Sequence, residues 1–379
     1  MTASPDPALG LAEKVLTLLD QGLFTATYKY AVFLALLDLA MEKTTSTGKA
    51  PGVLTTRELA GKVLELYWPH TVPYPYHDEC SVLLQNWGAR DAQAEIVTLI
   101  GRFRQDGLAD PTTTLYRARL SVPQAFEMLL RRIEWKLIEM PLPRLQFIGN
   151  RYEPFLYDIA WDTGVRQPPV TRYQRGDKDA FDNRIRLQSG VGEHLVRLNG
   201  LLRPLLHRQW ATAVARINRL PEARLEAFLF GTTRIPTEAL RPHLQELQEG
   251  RCFYCRKRLL QSRREPLQVD HFIPWARYPD DGIDNLVVAH GRCNQHKRDF
   301  LAASQHVEHW LERFGPGGQA SFLADTAKTA GWESHPHTTL GVAASLYLRL
   351  PAGADLWVRG KQFEPLDPSE VQSAFASVP

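Results

Sequence analysis

Residues 251–255 read Arg-Cys-Phe-Tyr-Cys, residues 269–275 Val-Asp-His-Phe-Ile-Pro-Trp, and residues 282–299 GIDNLVVAHGRCNQHKRD. Two kinds of chemistry are interleaved there. Cys252 and Cys255 form a C-x-x-C pair, and Cys293 and His296 form a C-x-x-H pair. Two soft-ligand pairs at that spacing, each on one tight turn, suit a structural Zn²⁺ with four closed tetrahedral positions. His290, three residues before Cys293, is the alternative fourth ligand. Between and within the pairs lie Asp270, His271, Asn285 and Asn294, which have the makings of a hydrolytic metal site. An unperturbed imidazole has a pKa of about 6.5 and accepts a proton from water near neutrality, so His271 is the candidate general base. A hard dication binds oxygen donors and offsets the charge that builds up on a phosphate. The run Leu-Gln-Val-Asp-His-Phe-Ile reads as a strand, on which neighbouring side chains face opposite ways. Asp270 and His271 therefore serve one phosphate only if the strand ends or bends before Pro274.

The order C-x-x-C, D-H-x-x-P, D-N-L, C-N-x-x-K resembles the HNH endonucleases, the ββα-metal nucleases, in the subgroup with a zinc knuckle. The resemblance covers about fifty residues. It implies that Asp270 and Asn294 hold a catalytic Mg²⁺ or Mn²⁺, and that Asn285 orients the histidine and its loop. It also implies DNA as substrate, a 3′-hydroxyl and 5′-phosphate as products, and one strand cut per site. The helical front with a C-terminal nuclease resembles bacterial proteins of restriction and phage defence, whose partners would be DNA and either a defence-system protein or a second copy of the chain. A catalytically silent zinc-stabilised binding module, or a nuclease acting on RNA, is the alternative.

The remaining sequence bounds this reading. The chain has 379 residues, enough for two or three cores, and a net charge of only +3. Its basic residues are local: Arg251, Arg256, Lys257, Arg258, Arg263 and Arg264 crowd the knuckle, and Lys297 and Arg298 follow Asn294. Of these, Arg256, Lys257, Arg258, Lys297 and Arg298 are the candidate phosphate contacts. Three of the four cysteines belong to the knuckle, which fits a reducing, cytoplasmic setting. The opening MTASPDPALG lacks the build of a secretory signal, and no apolar run is long enough to span a bilayer. Phosphate-loop, dinucleotide and nucleophile-elbow patterns are absent.

The expected fold is mainly α, with helical N-terminal and middle regions and a small ββα-metal module near the C-terminus. Four segments are expected. Residues 1–165 form a helical domain with room for a winged-helix element, and 166–248 a basic linker and helical region. Residues 249–300 form the nuclease module, and 301–379 a helical extension with a short hairpin. Apolar periodicity predicts helices over 8–19, 25–41, 89–103, 123–139 and 192–218. Thr55-Thr56-Arg57-Glu58 is a capping-box start for a helix reaching about Trp68. The polar, Pro- and Gly-bearing stretch 162–179 reads as the linker, and the tail reads as a hairpin turning at Pro351–Gly353.

Overall fold

The computed structural model describes residues 6–21, 26–76, 79–87, 92–110, 112–221, 224–231, 237–260 and 266–378. The chain divides into two units, Met1–Ala40 with Pro51–Thr232, and Met41–Ala50 with Thr233–Pro379. Residues 301–378 lie in the second unit together with 249–300, and most of 166–248 lies in the first.

The first unit is mainly helical. The expected helices appear as Pro7–Gln21, Tyr28–Glu42, Glu95–Gly107, Pro123–Glu139 and Val191–Asn218. The starts expected at Thr25 and Ala89 lie outside the described residues. The helix Thr56–Tyr67 begins as its sequence requires. The Thr55 side chain accepts from the Glu58 backbone N–H, and the Glu58 carboxylate accepts from the Thr55 N–H at 2.9 Å. Such a cap contributes about 1 kcal/mol. The helix is then fastened to Pro123–Glu139 through the buried Glu134, which accepts from Thr56 Oγ1 at 2.7 Å and from Gln174 Nε2 at 3.0 Å.

A second buried polar group lies under the long helix. Trp210 Nε1 and Thr27 Oγ1 both donate to Gln85 Oε1 at 2.7 Å. The Gln85 amide then faces His70 Nδ1 at 3.1 Å, and His70 Nε2 meets the Leu229 carbonyl at 2.9 Å. Burial pushes the His70 pKa down to about 4, so the ring is neutral and Nε2 carries its proton. Every member has a partner, which a buried polar group requires.

The stretch 162–179 is not a bare linker, because Gln167–Gln174 is a helix. Pro168 and Pro169 occupy its first turn, where a missing N–H costs nothing. The strand Tyr157–Ile159 pairs with Arg184–Leu187, itself paired with Val53–Thr55.

In the second unit the strands Leu267–His271 and Leu286–His290 form an antiparallel hairpin, with Asp270 opposite Val287 and His271 opposite Leu286. The helix Gly291–Lys297 follows at once. The hairpin buries Leu286, Val287, Val288 and Ala289 completely, against a core that includes Phe253, Phe272, Trp310 and Val307. Phe272 stacks on Trp310 with ring centres 4.7 Å apart. The C-terminal hairpin is Asp355–Arg359 with Gln362–Pro365, so it turns at Gly360, whose φ is 55°, and not at Pro351–Gly353. Its Trp357 bonds the backbone of the segment after the site helix, accepting from Ala303 N at 2.8 Å and donating to Leu301 O at 2.9 Å. Among the described residues no helix is long and apolar enough to cross a membrane.

Candidate metal centre and active site

The knuckle is a tight loop. Cys252 N donates to Lys257 O at 2.8 Å, and Arg256 N donates to Cys252 O at 3.0 Å. Arg256 takes the left-handed conformation, φ 59°, that lets the loop close. This brings Cys252 and Cys255 to His290 and Cys293, with ligand atoms all within 4.8 Å of one another. Three thiols and an imidazole, partly buried and close together, are a donor set that fits zinc. His290 is already oriented for that task. Its Nε2 lies 3.2 Å from the Arg258 carbonyl and so carries the proton, while Nδ1 sits 3.4 Å from Cys255 Sγ. The Cys252 thiol is pushed down to about 4, chiefly by its hydrogen bond with Cys293, whose own thiol is pushed up by the same contact.

The fourth member is thus His290, and His296 is corrected. His296 lies a turn beyond Cys293 on the site helix, exposed and outside the cluster. The second pair is H-x-x-C across the strand-to-helix junction. The strand end supplies the imidazole, and the first helical turn supplies the thiol.

Alternation along the strand sorts the catalytic candidates. Asp270, 8% exposed, accepts from Tyr254 Oη at 2.5 Å and pairs with Lys297 Nζ at 3.2 Å. Lys297 is fully buried and also donates to the His271 carbonyl at 2.7 Å. It is therefore a strut inside the module, and the expectation that it touches nucleic acid is corrected. Asn294, half-buried on the site helix, donates through Nδ2 to Gln268 Oε1 at 3.0 Å. Gln268 is two residues from Asp270, so Asp270 and Asn294 belong to the helix-facing side of the strand. Asp270 and the Asn294 carbonyl oxygen are hard donors of the kind a Mg²⁺ or Mn²⁺ takes alongside water.

His271 is the last residue of its strand, which meets the condition that the chain end or turn there. Its Nε2 lies 2.8 Å from Asp281 Oδ1, and its ring meets Trp275 edge-on with centres 5.1 Å apart. Asn285, fully buried, ties down the loop that follows. Its Oδ1 accepts from Ile273 N at 2.7 Å, and its Nδ2 donates to Ile273 O at 3.2 Å and Asp280 O at 3.0 Å. Three partners of these groups carry no sequence signal of their role: Tyr254 sits between the paired cysteines, Lys297 reads as surface charge, and Asp281 lies in what reads as a polar turn.

Arg256, Lys257, Arg258 and Arg298 are exposed, as a phosphate contact requires. Arg256 also meets His309 Nε2 at 2.5 Å. Arg263 and Arg264 lie outside the described residues. A cavity of about 210 Å³ lined by Leu247, Phe253, Arg256, His309 and Gln319 includes none of the four catalytic candidates.

Residues 252–303 match the family model of the HNH endonucleases. No curated protein and no solved structure matches the chain. A hairpin ending in a histidine, followed directly by a helix, is what that match leads one to look for, and it is what the chain builds; residues 252–303 belong to the HNH endonuclease family, and the cluster within them fits a zinc knuckle.

Proposed function

We propose that the chain is a metal-dependent endonuclease that hydrolyses DNA phosphodiester bonds, one strand per site. The observation that carries this is the disposition of His271. It stands at the end of its strand with one ring nitrogen engaged by Asp281, beside a helix-facing pair of oxygen donors, Asp270 and Asn294. A module that only bound nucleic acid would need the knuckle and the arginines, but not this set.

In this reading His271 takes a proton from the attacking water. Asp270 and Asn294 would hold the dication, which would supply charge neutralisation at the phosphate and at the leaving oxygen. Tyr254 and Lys297 keep Asp270 from turning, and Asn285 keeps the loop after His271 in place. The cluster of Cys252, Cys255, His290 and Cys293 takes a zinc that braces the fold, with no part in the chemistry. Arg256, Lys257, Arg258 and Arg298 contact phosphates. Action in bacterial restriction or phage defence, with a defence protein or a second copy as partner, rests on the likeness of layout alone.

The test uses labelled DNA and RNA, single- and double-stranded, with Mg²⁺ or Mn²⁺, for the wild type and His271→Ala. Nicking of supercoiled plasmid by the wild type, and none by the variant, is the expected result. Cleavage of RNA but not DNA moves the substrate to the second reading. Metal-independent cleavage, or an active His271→Ala, overturns the mechanism.

A further inference from the structure

We infer that Asp281 is a positioning residue for the base, and that a segment beyond the family match, residues 332–339, holds it in place. This rests on His271 acting as the base. A carboxylate has no proton to give near neutrality, so the 2.8 Å contact from His271 Nε2 to Asp281 Oδ1 is donated by the ring. Nε2 therefore carries the proton, and Nδ1 presents the lone pair. Nδ1 takes the proton of the attacking water, the water oxygen bonds to phosphorus, and the bond from phosphorus to the leaving oxygen breaks. That oxygen then takes a proton from solvent. The imidazolium formed in between faces the Asp281 carboxylate.

Asp281 sits in the segment 280–284, whose ends are held by Asn285 Nδ2 on the Asp280 carbonyl at 3.0 Å and by Trp310 Nε1 on the Asp284 carbonyl at 3.1 Å. The downstream segment grips this loop from end to end. Trp332 Nε1 donates to the Asp281 carbonyl at 2.6 Å. Ile283 N donates to Glu333 O at 2.9 Å. Asp284 accepts from His335 N at 2.7 Å and from Ser334 Oγ at 3.3 Å. Asp280 pairs with His335 Nε2 at 2.8 Å and accepts from Thr339 Oγ1 at 2.8 Å. Gly282 is pressed so close that a Cβ there would lie 2.7 Å from the His335 ring. The residues on either side of Asp281, and its own carbonyl, are thus held by the downstream segment, while the Asp281 carboxylate meets His271.

The experiment compares wild type, Asp281→Ala, Asp281→Glu and Trp332→Phe in the full chain. Two readouts are taken: steady-state cleavage of a labelled duplex, and the ¹⁵N spectrum of the His271 ring without added dication. We expect Asp281→Ala to lower kcat roughly 10–100-fold with KM little changed, short of the 10²–10⁴ that a general base supplies outright. Its ring should pass from one Nε2-protonated tautomer to a mixture. Asp281→Glu should restore part of both, and Trp332→Phe, which keeps the ring but removes the N–H, should show a smaller change in the same direction. An unchanged kcat, or an unchanged tautomer, in Asp281→Ala overturns the inference; if that variant fails to fold, Trp332→Phe decides by the same criteria. A His271→Ala enzyme that cleaves like the wild type strikes instead at the base assignment, since the tautomer is read without activity.

Discussion

Two histidines in the nuclease unit make the same contact with consecutive aspartates. His271 meets Asp281 at 2.8 Å, and His335 meets Asp280 at 2.8 Å. Their surroundings differ. Asp280 is 4% exposed and saturated, accepting also from Gly282 N and Thr339 Oγ1, both at 2.8 Å. Burial alone would pull the His335 pKa down, but Asp280, with Glu333 and Asp284 nearby, pushes it up to about 9. That pair is a permanent ion pair at neutral pH. Among the described residues the Asp281 carboxylate meets His271 alone, and it does so through one of the two ring nitrogens. A shared distance therefore says little about role; the donors on the two carboxylates are what differ, three on Asp280 against the one ring on Asp281 among the described residues.

The contrast can be broken at several points. The largest effect should come from the cluster of Cys252, Cys255, His290 and Cys293, where a zinc would brace the module that carries His271. Cys252→Ser, or chelation, should unfold the module, since a structural zinc is worth about 10 kcal/mol or more in small metal-folded units; loss of bound zinc and of the thermal transition checks this. His290→Ala should likewise lose zinc, whereas His296→Ala should keep it, and zinc retained in the first or lost in the second would reverse the ligand assignment.

Next comes Lys297→Met, which leaves Asp270 without its buried counter-charge. Removing one partner of a buried pair costs about 3–5 kcal/mol, so a lower melting point is expected, with the salt dependence of DNA binding unchanged. A change in salt slope without a change in stability would return Lys297 to the surface.

His335→Gln should cost about 1–3 kcal/mol and, more tellingly, alter the pH dependence of stability. The folded pKa lies above the ordinary value of 6.5. The stabilisation is therefore complete below about pH 6.5 and is lost as pH rises through about 9. Wild-type melting temperature should fall across that window and approach that of the variant. Parallel curves would deny His335 its charge. The smallest effect belongs to Arg256→Ala, which should lower the salt slope of binding by about one phosphate's worth and leave the cleavage rate at saturation alone.

What could be read in the sequence was what is local. Within fifty residues the chain makes a knuckle, a strand, a second strand and a helix, and every donor that matters for metal lies on one of them. The fourth zinc ligand was ambiguous because both His290 and His296 stand three residues from Cys293. Only the start of the helix at Gly291 decides that the strand end, not the next turn, faces the thiols. The partners that orient the site come from afar. Trp332 and His335 lie some fifty residues beyond the loop they hold, and no periodicity marks them. Trp357 packs on Tyr254, ring centres 5.1 Å apart, and Tyr254 in turn holds Asp270, so the tail that reads as an extension supports Asp270. The helix Gln167–Gln174 was hidden for another reason: paired prolines signal a break unless they fall in a first turn.

The packing of Gly341 has a practical consequence. Its helix, Pro336–Tyr347, runs so near the backbone of the segment 41–50 that a methyl at Gly341 would lie 2.0 Å from the Glu42 carbonyl oxygen. A gene trimmed to begin at residue 233 would encode the nuclease without this wall. Anyone wishing to transplant this unit into a fusion must carry the decapeptide along, grafted in or supplied in trans.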